Sequence, residues 1–338
     1  MTKPADKDWS DAKAWIEARH RPLIITHTKP DGDALGSIIS LRSLLVGMGK
    51  QPTALIYDAL NPSQSYYRKF DSFPVLSEGG GTSVLDDRDS VIVADTCTWS
   101  QIEPIADWLK QSGLPILAID HHVNRDEIAD CYLVDERAGA ACQIVYELAR
   151  RSGWEMNDHA REAMFLGMAT DTGWFRFSNA DAALLQAVTD LVRDGVAPHL
   201  VHQGLFQHER AARVRLLGRA INSLELMEDG QLACMTLTPA DYEACGADSG
   251  DTENIVNEPL KIGTVCASVI LVDRAEGIIR CSFRSKPPEK DGERDLDVSS
   301  VAFALGGGGH RRAAAARIQG DLQEVKPKVL DALKEIFT

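Results

Sequence analysis

The first half of the chain alternates short apolar runs with longer stretches of helical periodicity. The runs are rich in Ile, Val and Leu, like strands buried on both faces of a parallel sheet, and comprise PLIITH (22–27), TALIYD (53–58), SVIVAD (90–95) and PILAID (115–120). Between the first two, residues 33–49 have the apolar spacing of a helix and end at glycines. This alternation predicts βαβ units in an open α/β sheet, whose ligands bind beyond the carboxyl ends of the strands.

The pattern changes in the second half of the chain. Helical periodicity continues from about 138 to 195, and a charged helical stretch follows it. From about residue 230 the runs are strand-like again (QLACMTLT, VCASVILVD, GIIRCSFRS), before a glycine run and a C-terminal helix. We therefore expect an N-terminal domain with a largely parallel sheet flanked by helices (1–205), a helical connector (206–228) and a smaller C-terminal α/β domain (229–338).

Composition narrows the class of protein. With 338 residues, of which 44% are hydrophobic, the chain can bury a sizeable core. No stretch reaches the roughly 18–20 apolar residues of a membrane span, and the start MTKPADKDWSDAK lacks the apolar core of a signal peptide. The 7 cysteines form no C-x-x-C pair, which argues against a disulfide framework and a thiolate zinc site. These features predict a cytoplasmic protein with reduced thiols and no membrane partner.

Charge limits the partners further. The formal net charge of −14 argues against binding to long or duplex nucleic acid, because such binding relies on many Lys and Arg contacts to phosphates. An anionic substrate would need a local positive site, which bound divalent cations can supply. A homodimer is compatible with the sequence, although no pattern specifies one.

Ionisable side chains follow the predicted strands at their carboxyl ends. The candidates are His27, Asp31, Asp33, Asp95, Asp120, His121 and His122, with Asp171 in the later motif GMATDTGWFRFSN. Taken singly, such a residue is most often a helix cap or a turn residue, but four separate segments at one sheet edge favour a catalytic metal site. Oxygen and imidazole ligands without sulfur favour Mn²⁺ or Mg²⁺, and a pair of such ions suits phosphoryl hydrolysis.

These motifs carry a family resemblance. In order, HTKPDGDALGS, VADT, DHH and TDTGWFRFS resemble the four motifs of the DHH phosphoesterase superfamily, and GGGGHRRAAAA (306–316) is similar to the signature of its DHHA1 substrate-binding domain. Within the superfamily the chain is most similar to the NrnA-like group of bifunctional oligoribonucleases (nanoRNases) and phosphatases of 3'-phosphoadenosine-5'-phosphate (pAp). The resemblance implies a manganese-dependent phosphoesterase that degrades short oligoribonucleotides to mononucleotides and converts pAp to AMP.

The resemblance also implies roles for the ionisable residues. It implies two ligand sets that share a bridging aspartate: His27, Asp31 and Asp95 for one metal ion, and Asp33, Asp95, His121 and Asp171 for the other. His122 would contact the substrate phosphate. Asp120 would orient a neighbouring histidine, as carboxylates around metal-bound imidazoles commonly do.

Substrate binding is expected mainly in the C-terminal domain. By resemblance it involves Gly307, Gly308, Gly309 and His310, with Arg284 and Ser285 as further contacts to phosphate or base. The segment HRRAAAA predicts a helix start, whose backbone N–H groups would cradle an anion beside the glycines. Family members commonly have AAG after the histidine, where this chain has alanines at 313–316. Arg176 is a candidate phosphate clamp because its planar fork suits phosphate oxygens, although a surface salt bridge accounts for it equally well.

Three alternatives stay open at this point. A phosphodiesterase acting on pApA or cyclic di-AMP would carry the same motifs. A pyrophosphatase would share the four metal motifs, but its second domain would lack the GGGGH run that this chain has. A non-catalytic nucleotide or RNA sensor is the alternative from a different class, and the complete set of ligand residues argues against it.

Overall fold

The computed structural model describes residues 3–60, 62–70, 73–78, 85–207, 209–275, 277–288 and 295–337. The chain divides into two compact units, residues 1–208 and 209–338. Each unit has its own sheet and its own apolar cores. Helix Ala211–Asn222, which lies in the stretch predicted as a connector, falls within the second unit.

The first unit contains a parallel sheet. Its strands are β1 (Pro22–Ile25), β2 (Thr53–Ala54), β3 (Ser90–Ala94), β4 (Ile116–Asp120) and β5 (Cys131–Val134). Their order is β2-β1-β3-β4-β5, and every neighbouring pair is parallel, which confirms the predicted sheet. β2 is shorter than predicted because the chain leaves the ladder after Ala54, and Ile56 forms an isolated bridge with Val75.

Helices and apolar side chains cover both faces of this sheet. The helices are α1 (Asp6–Glu17), α2 (Gly32–Gly47), α3 (Glu103–Ser112), α4 (Ala141–Ser152), α5 (Asp158–Asp171), α6 (Ala182–Arg193) and α7 (Pro198–Phe206), with 3₁₀ turns at Pro62–Lys69, Leu76–Glu78 and Trp99–Ile102. Successive strand residues point to opposite faces, so Ile92 packs with α1, α2, α4 and α5 while Val91 packs with α3. Burial on both faces explains why the strands appear as continuous apolar runs.

Close packing of α2 and α5 helps to assemble the edge of this sheet. At Gly36 of α2 an added Cβ would lie 2.6 Å from the carbonyl oxygen of Ala163 in α5. Glycine therefore lets the two helix backbones approach each other closely. As a result Asp33, in the first turn of α2, and Asp171, the last residue of α5, reach the same site.

The second unit contains a mixed sheet. Its strands are β6 (Glu225–Met227), β7 (Leu232–Leu237), β8 (Ala267–Asp273), β9 (Ile278–Ser285), β10 (Gly308–His310) and β11 (Ala313–Gln319), in the order β10-β11-β9-β8-β7-β6. Its helices are α8 (Ala211–Asn222), α9 (Pro239–Cys245), α10 (Val298–Ala304) and α11 (Leu322–Glu335), with 3₁₀ turns at Gly250–Thr252 and Ile255–Lys261. One face packs against α10 and α11, and the β7–β8 part of the other face packs against α8, α9 and the second 3₁₀ turn.

The glycine run does not precede a helix, so the predicted helix start at HRRAAAA is wrong. The run leads into β10, and Ala313–Gln319 form β11, which pairs antiparallel with β9. Alanine has the highest helix propensity, but pairing with an existing strand outweighs that local preference. Across the described residues, none of the helices combines the length and apolar character that a transmembrane span needs.

Candidate metal centre

The candidate ligands gather at the carboxyl ends of three adjacent strands. His27 follows β1, Asp95 follows β3, and Asp120 ends β4 directly before His121 and His122. The sheet order places β3 between β1 and β4, so Asp95 comes from the central strand of the three. The edge predicted from the sequence is therefore where the structure brings these residues together.

Three groups of side chains at this edge have the composition of metal sites. Within each group the potential ligand atoms all lie within 4.8 Å of one another, and the groups are His27–Asp31–Asp95, Asp33–His121–Asp171 and Asp95–His121–His122. The first two contain residues that the resemblance assigns to separate metal ions. The third links Asp95 to His121, so one aspartate has neighbours in both ligand sets.

Asp95 lies between the two sets. Its Oδ2 is 3.6 Å from Nε2 of His27, and its Oδ1 is 3.5 Å from Nε2 of His121. The residue is buried, its φ of 60° is in the left-handed region, and its Oδ1 has no hydrogen-bond partner among the described residues. A buried carboxylate oxygen without a donor, facing an imidazole, is the environment expected of a metal ligand.

Backbone N–H groups hold two of the other aspartates. Oδ1 of Asp31 accepts hydrogen bonds from the backbone N–H groups of Asp33 and Ala34, both at 3.0 Å, and so caps α2. The carboxylate of Asp33 accepts from the N–H groups of Ala141 and Cys142, at 2.5 and 3.0 Å. These are the first two residues of α4, whose own N-cap, Ala140, offers no side-chain acceptor. Asp33, which belongs to α2, thus caps the start of α4, and these hydrogen bonds restrict where its carboxylate can lie.

The electrostatics of the cluster fit a bound cation. Burial, followed by the charge of Asp95, raises the pKa of Asp33 well above its usual range, and burial together with Asp31 and Asp95 raises the pKa of Asp171 to about 6. Burial lowers the pKa of His121, but Asp95, Asp33 and Asp171 outweigh that effect and raise it to about 10. Divalent cations would neutralise this repulsion, and a donor set of carboxylates and imidazoles suits Mn²⁺ or Mg²⁺.

His122 lies at the exposed side of the cluster and is held there by Asp120. Its Nδ1 lies 2.7 Å from Oδ1 of Asp120, and the backbone N–H groups of His121 and His122 donate to the same oxygen. Asp120 is fully buried, whereas 52% of the His122 side chain is exposed. The hydrogen bond to Asp120 is the main cause of the raised pKa of His122. Asp120 therefore orients the ring, and Nε2 is left for another partner.

The segment after Asp171 turns sharply. Trp174 and Phe175 have φ values of 58° and 63°, and the Trp174 ring stacks on His202 of α7 with their centroids 5.2 Å apart. Nε of Arg176 donates to the carbonyl oxygen of Gly173 at 2.6 Å, and the residue is exposed. Its role as a phosphate clamp stays a prediction.

The predicted substrate-binding residues of the second unit lie around one hairpin. His310 pairs with Ala313 of β11, and Ala313 pairs with Arg284 of β9, so residues 310 and 284 lie on one face of the sheet. Two of the glycines are needed here, since a Cβ at Gly307 would lie 2.1 Å from the carbonyl oxygen of Ala315, and Gly309 has a φ of 143°.

Ser285 and the two arginines after His310 form hydrogen bonds and ion pairs within the second unit. The buried hydroxyl of Ser285 donates to the carbonyl oxygen of Leu296 at 2.9 Å. Arg311 and Arg312 both pair with the carboxylate of Asp295. In this arrangement Ser285 and the two arginines hold the hairpin to the preceding segment.

Sequence reasoning missed the groups that hold Asp33. The N–H groups of Ala141 and Cys142 leave no side-chain signal in the sequence. Gly167 of α5 lies behind Asp33, where an added Cβ would be 2.6 Å from the Asp33 Oδ1 atom and 2.2 Å from the Cys142 Sγ atom. A glycine inside the apolar central stretch of a helix, residues 163–169, was the available signal, because such glycines often mark a close approach.

Comparisons with known proteins agree with this architecture. The chain is 28% identical over 299 residues to the bifunctional oligoribonuclease and PAP phosphatase NrnA of Bacillus subtilis, covering 88% of each protein. It is also 28% identical over 331 residues to the protein of that name from Thermus thermophilus, covering 96% of this chain and 92% of the relative.

Two solved structures show the same fold. An exopolyphosphatase-related protein from Bacteroides fragilis superposes with a TM-score of 0.85 at 22% identity, covering 99% of this chain and 98% of the other. Exonuclease RecJ bound to manganese superposes with a TM-score of 0.54 at 14% identity, covering 99% of this chain and 96% of the other.

Two family models match the sequence. That of the DHH family N-terminal domain matches residues 21–168, and that of the DHHA1 domain matches residues 235–338. The chain therefore belongs to the DHH/DHHA1 family.

Proposed function

We propose that this protein is a metal-dependent phosphoesterase that hydrolyses short oligoribonucleotides to mononucleotides and pAp to AMP. The observation that carries the proposal is the place of Asp95, a buried carboxylate whose two oxygens face His27 and His121 in separate donor groups. A carboxylate shared in this way is what a two-metal phosphoesterase needs. The relatives named bifunctional oligoribonuclease and PAP phosphatase, which match most of the chain, support the substrate class.

The donor set fits two divalent ions. His27, Asp31 and Asp95 would hold one, and Asp33, Asp95, His121 and Asp171 would hold the other. We favour Mn²⁺ over Mg²⁺, because imidazole ligands suit Mn²⁺ better than the hard Mg²⁺ ion, which prefers oxygen and water. When bound, such a pair polarises the phosphate and supplies a hydroxide nucleophile at neutral pH.

His122 would act on the substrate and not as a metal ligand, and Asp120 would support it. With its Nδ1 held by the buried Asp120 carboxylate, the ring of His122 can direct a protonated Nε2 to the phosphate or the leaving oxygen. Asp120 acts through His122, since it stabilises the protonated imidazole and fixes the direction of the ring.

The second unit would bind the nucleotide. We assign this role to the backbone of Gly307, Gly308 and Gly309 and to the side chains of His310 and Arg284, with Ser285 supporting the hairpin. Within the first unit, we assign a contact to the substrate phosphate to Arg176. We propose that residues 1–205 form the phosphoesterase domain and residues 229–338 the substrate-binding domain, and that the stretch 206–228, whose helix α8 packs within the second unit, connects them along the chain. A local cationic site lets a chain of net charge −14 handle RNA fragments without binding long duplexes. Because such fragments arise where RNA is degraded, we place the activity in the cytoplasm.

Turnover by the purified protein tests the proposal. The panel comprises pAp, pApA, cyclic di-AMP, RNA of two to five nucleotides, a long RNA and pyrophosphate, each with Mn²⁺, with Mg²⁺ and with a chelator. We expect turnover of pAp and short RNA that is lost on chelation and is faster with Mn²⁺. Turnover of cyclic di-AMP or pyrophosphate alone would contradict the substrate assignment.

A matched pair of variants tests the metal centre within the same assay. Asp95→Asn should lower kcat at least about 1000-fold on every substrate, because removing its charge disrupts both ligand sets and the preorganised site. Asp107→Asn makes the same chemical change at an exposed position of α3 and should behave as the unmodified protein. Full activity of the Asp95 variant would refute the bridging role.

A further inference from the structure

The last residue of the motif GMATDTGWFRFSN has no role in the proposed function. Asn179 lies in the segment between α5 and α6. Its side-chain nitrogen donates to two backbone carbonyl oxygens, that of Gly139 at 3.0 Å and that of Asp171 at 3.4 Å. Because a carbonyl oxygen can only accept, the amide must turn its N–H groups toward this pair. Asn179 thus joins the end of α5 to the segment that precedes α4.

The segment before α4 holds two of the candidate metal ligands. Nδ1 of His121 donates to the carbonyl oxygen of Ala138 at 3.1 Å, and a proton on Nδ1 leaves Nε2 free to bind a metal ion. The N–H groups of the first two residues of α4 hold the carboxylate of Asp33. One short stretch of backbone, residues 138–142, therefore fixes a histidine and an aspartate together.

Asn179 connects this stretch to the third member of the same donor group. The group consists of Asp33, His121 and Asp171. The stretch 138–142 fixes the first two, and the Asn179 amide ties the carbonyl of Gly139, within that stretch, to the backbone of the third. All three ligands therefore share one frame of backbone hydrogen bonds, and this amide closes it.

The backbones also meet closely at this junction. An added Cβ at Gly139 would lie 2.4 Å from the carbonyl oxygen of Asn179, which itself accepts from the N–H group of Asp181 at the start of α6. Oδ1 of Asn179 is buried and has no hydrogen-bond partner among the described residues. A buried amide oxygen without a donor is destabilising. The side chain therefore contributes mainly through its two N–H donors, which hold the junction.

The other donor group has a separate support. The two side-chain hydrogen bonds described for Asn179 reach neither His27 nor Asp31. Asp31 is held instead by N–H groups in the first turn of α2. The two ligand sets share Asp95, but the groups that orient their remaining members are different.

We propose that Asn179 is a positioning residue for one of the two metal ions, the ion that Asp33, His121 and Asp171 would hold. Its amide keeps the stretch 138–142 in place against the end of α5, so that these three ligands converge. Loss of the amide should weaken binding of this ion and leave the other ion bound. The proposal rests on the proposed function, to which it adds a residue that distinguishes the two ligand sets.

Titration of the metal-free protein with Mn²⁺ tests the proposal without turnover. Asn179→Leu removes both N–H donors at similar side-chain volume and without a change of charge. Calorimetric titration should show the Kd of one ion raised about 10–100-fold, as loss of a group that orients metal ligands commonly causes, and that of the other nearly unchanged. Asn222→Leu makes the same chemical change at an exposed position of α8 and should bind both ions as the unmodified protein does.

Two ligand variants identify which ion is affected. Asp31→Asn removes a ligand from one set only, and Asp171→Asn removes a ligand from the other set only. Added to these backgrounds, Asn179→Leu should weaken the ion that remains in the Asp31 variant and spare the ion that remains in the Asp171 variant. A residue that only stabilised the fold would lower both affinities alike.

Thermal unfolding of the metal-free proteins separates positioning from folding. The unfolding temperature of Asn179→Leu should stay close to that of the unmodified protein, and Asn179→Ala, which removes the donors without adding apolar bulk, replaces it if the Leu variant does not fold. Asn179→Gln keeps both donors on a longer side chain and should recover part of the lost metal affinity.

The outcomes separate this inference from the proposed function. Unchanged affinities, or equal loss of both ions, would overturn the inference and leave the proposed function in place if the unmodified protein hydrolyses pAp and short RNA. If the unmodified protein binds two ions but hydrolyses neither substrate, the proposed function fails and the titrations still decide the inference. An unmodified protein that binds no Mn²⁺ would overturn both.

Discussion

At the scale of single residues, the candidate metal centre depends on groups that are not themselves ligands. Asp33 is held by two N–H groups at the start of α4, and its Oδ1 faces the backbone of Gly167 in α5. The carboxylate therefore has little room to shift without losing a hydrogen bond or meeting α5. The sequence identifies Asp33 as a candidate ligand, but only the packed helices decide where its oxygens lie.

Gly167→Ala should impair the centre without changing any ligand. The new Cβ would lie 2.2 Å from the Cys142 Sγ atom and 2.6 Å from the Asp33 Oδ1 atom, so both must move. We expect kcat on pAp to fall about 100-fold, as small displacements of reacting groups can cause, and the thermal unfolding temperature to fall as well.

Gly218→Ala is the control for this substitution. Gly218 is also inside a helix, α8, but no described atom lies within 4 Å of its added Cβ. Alanine there should raise stability by up to about 1 kcal/mol through its helix propensity and leave kcat unchanged. Equal behaviour of the two variants in turnover and thermal unfolding would show that Asp33 does not depend on Gly167.

At the scale of elements, the structure departs most from sequence reasoning at the glycine run. A run of alanines after four glycines has the local character of a helix start, yet residues 313–319 form a strand between β9 and β10. Local propensity contributes less than about 1 kcal/mol per residue, whereas pairing with β9 along the whole strand, and with β10 at its start, satisfies the backbone groups of these residues. The metal ligands were easier to predict, because parallel strands place their carboxyl ends at one edge whatever their exact lengths.

The hairpin should tolerate alanine at one glycine and not at its neighbour. Gly309 has a φ of 143°, and its added Cβ would lie 2.5 Å from the Cα atom of Ala314, whereas the nearest atom to that of Gly308 is a Phe303 ring carbon at 3.5 Å. Gly309→Ala should therefore destabilise the second unit by about 1–3 kcal/mol, and Gly308→Ala by much less. Denaturant unfolding of the two variants measures the difference. Equal stabilities would contradict the β10–β11 pairing.

At the scale of the whole molecule, the chain consists of two units with separate cores. The candidate ligands all lie in the first unit, and the glycine run lies in the second. Metal binding should therefore stabilise one unit directly, since a ligand stabilises the folded state that binds it.

Calorimetry of the full chain with and without metal tests this division. At a Mn²⁺ concentration about 100 times its Kd, the first unit should gain about 2.7 kcal/mol, so its transition should move to higher temperature while that of the second stays in place. Chelation should reverse the shift, and Asp95→Asn should largely abolish it. A shift of both transitions, or one that persists in the Asp95 variant, would contradict this assignment of the metal centre.

Apolar periodicity and the residues at strand ends were enough to predict the parallel α/β sheet of the first unit, the second sheet-containing unit and the ionisable residues at one sheet edge. Apolar periodicity and strand ends are local properties, which sequence letters record directly. Three relations became visible in the folded chain: Asp95 lies between two donor groups, α4 and Gly167 hold Asp33, and His310 lies on the same sheet face as Arg284. These relations join residues far apart in the chain, and they depend on strand register and helix packing, which no short stretch of sequence specifies.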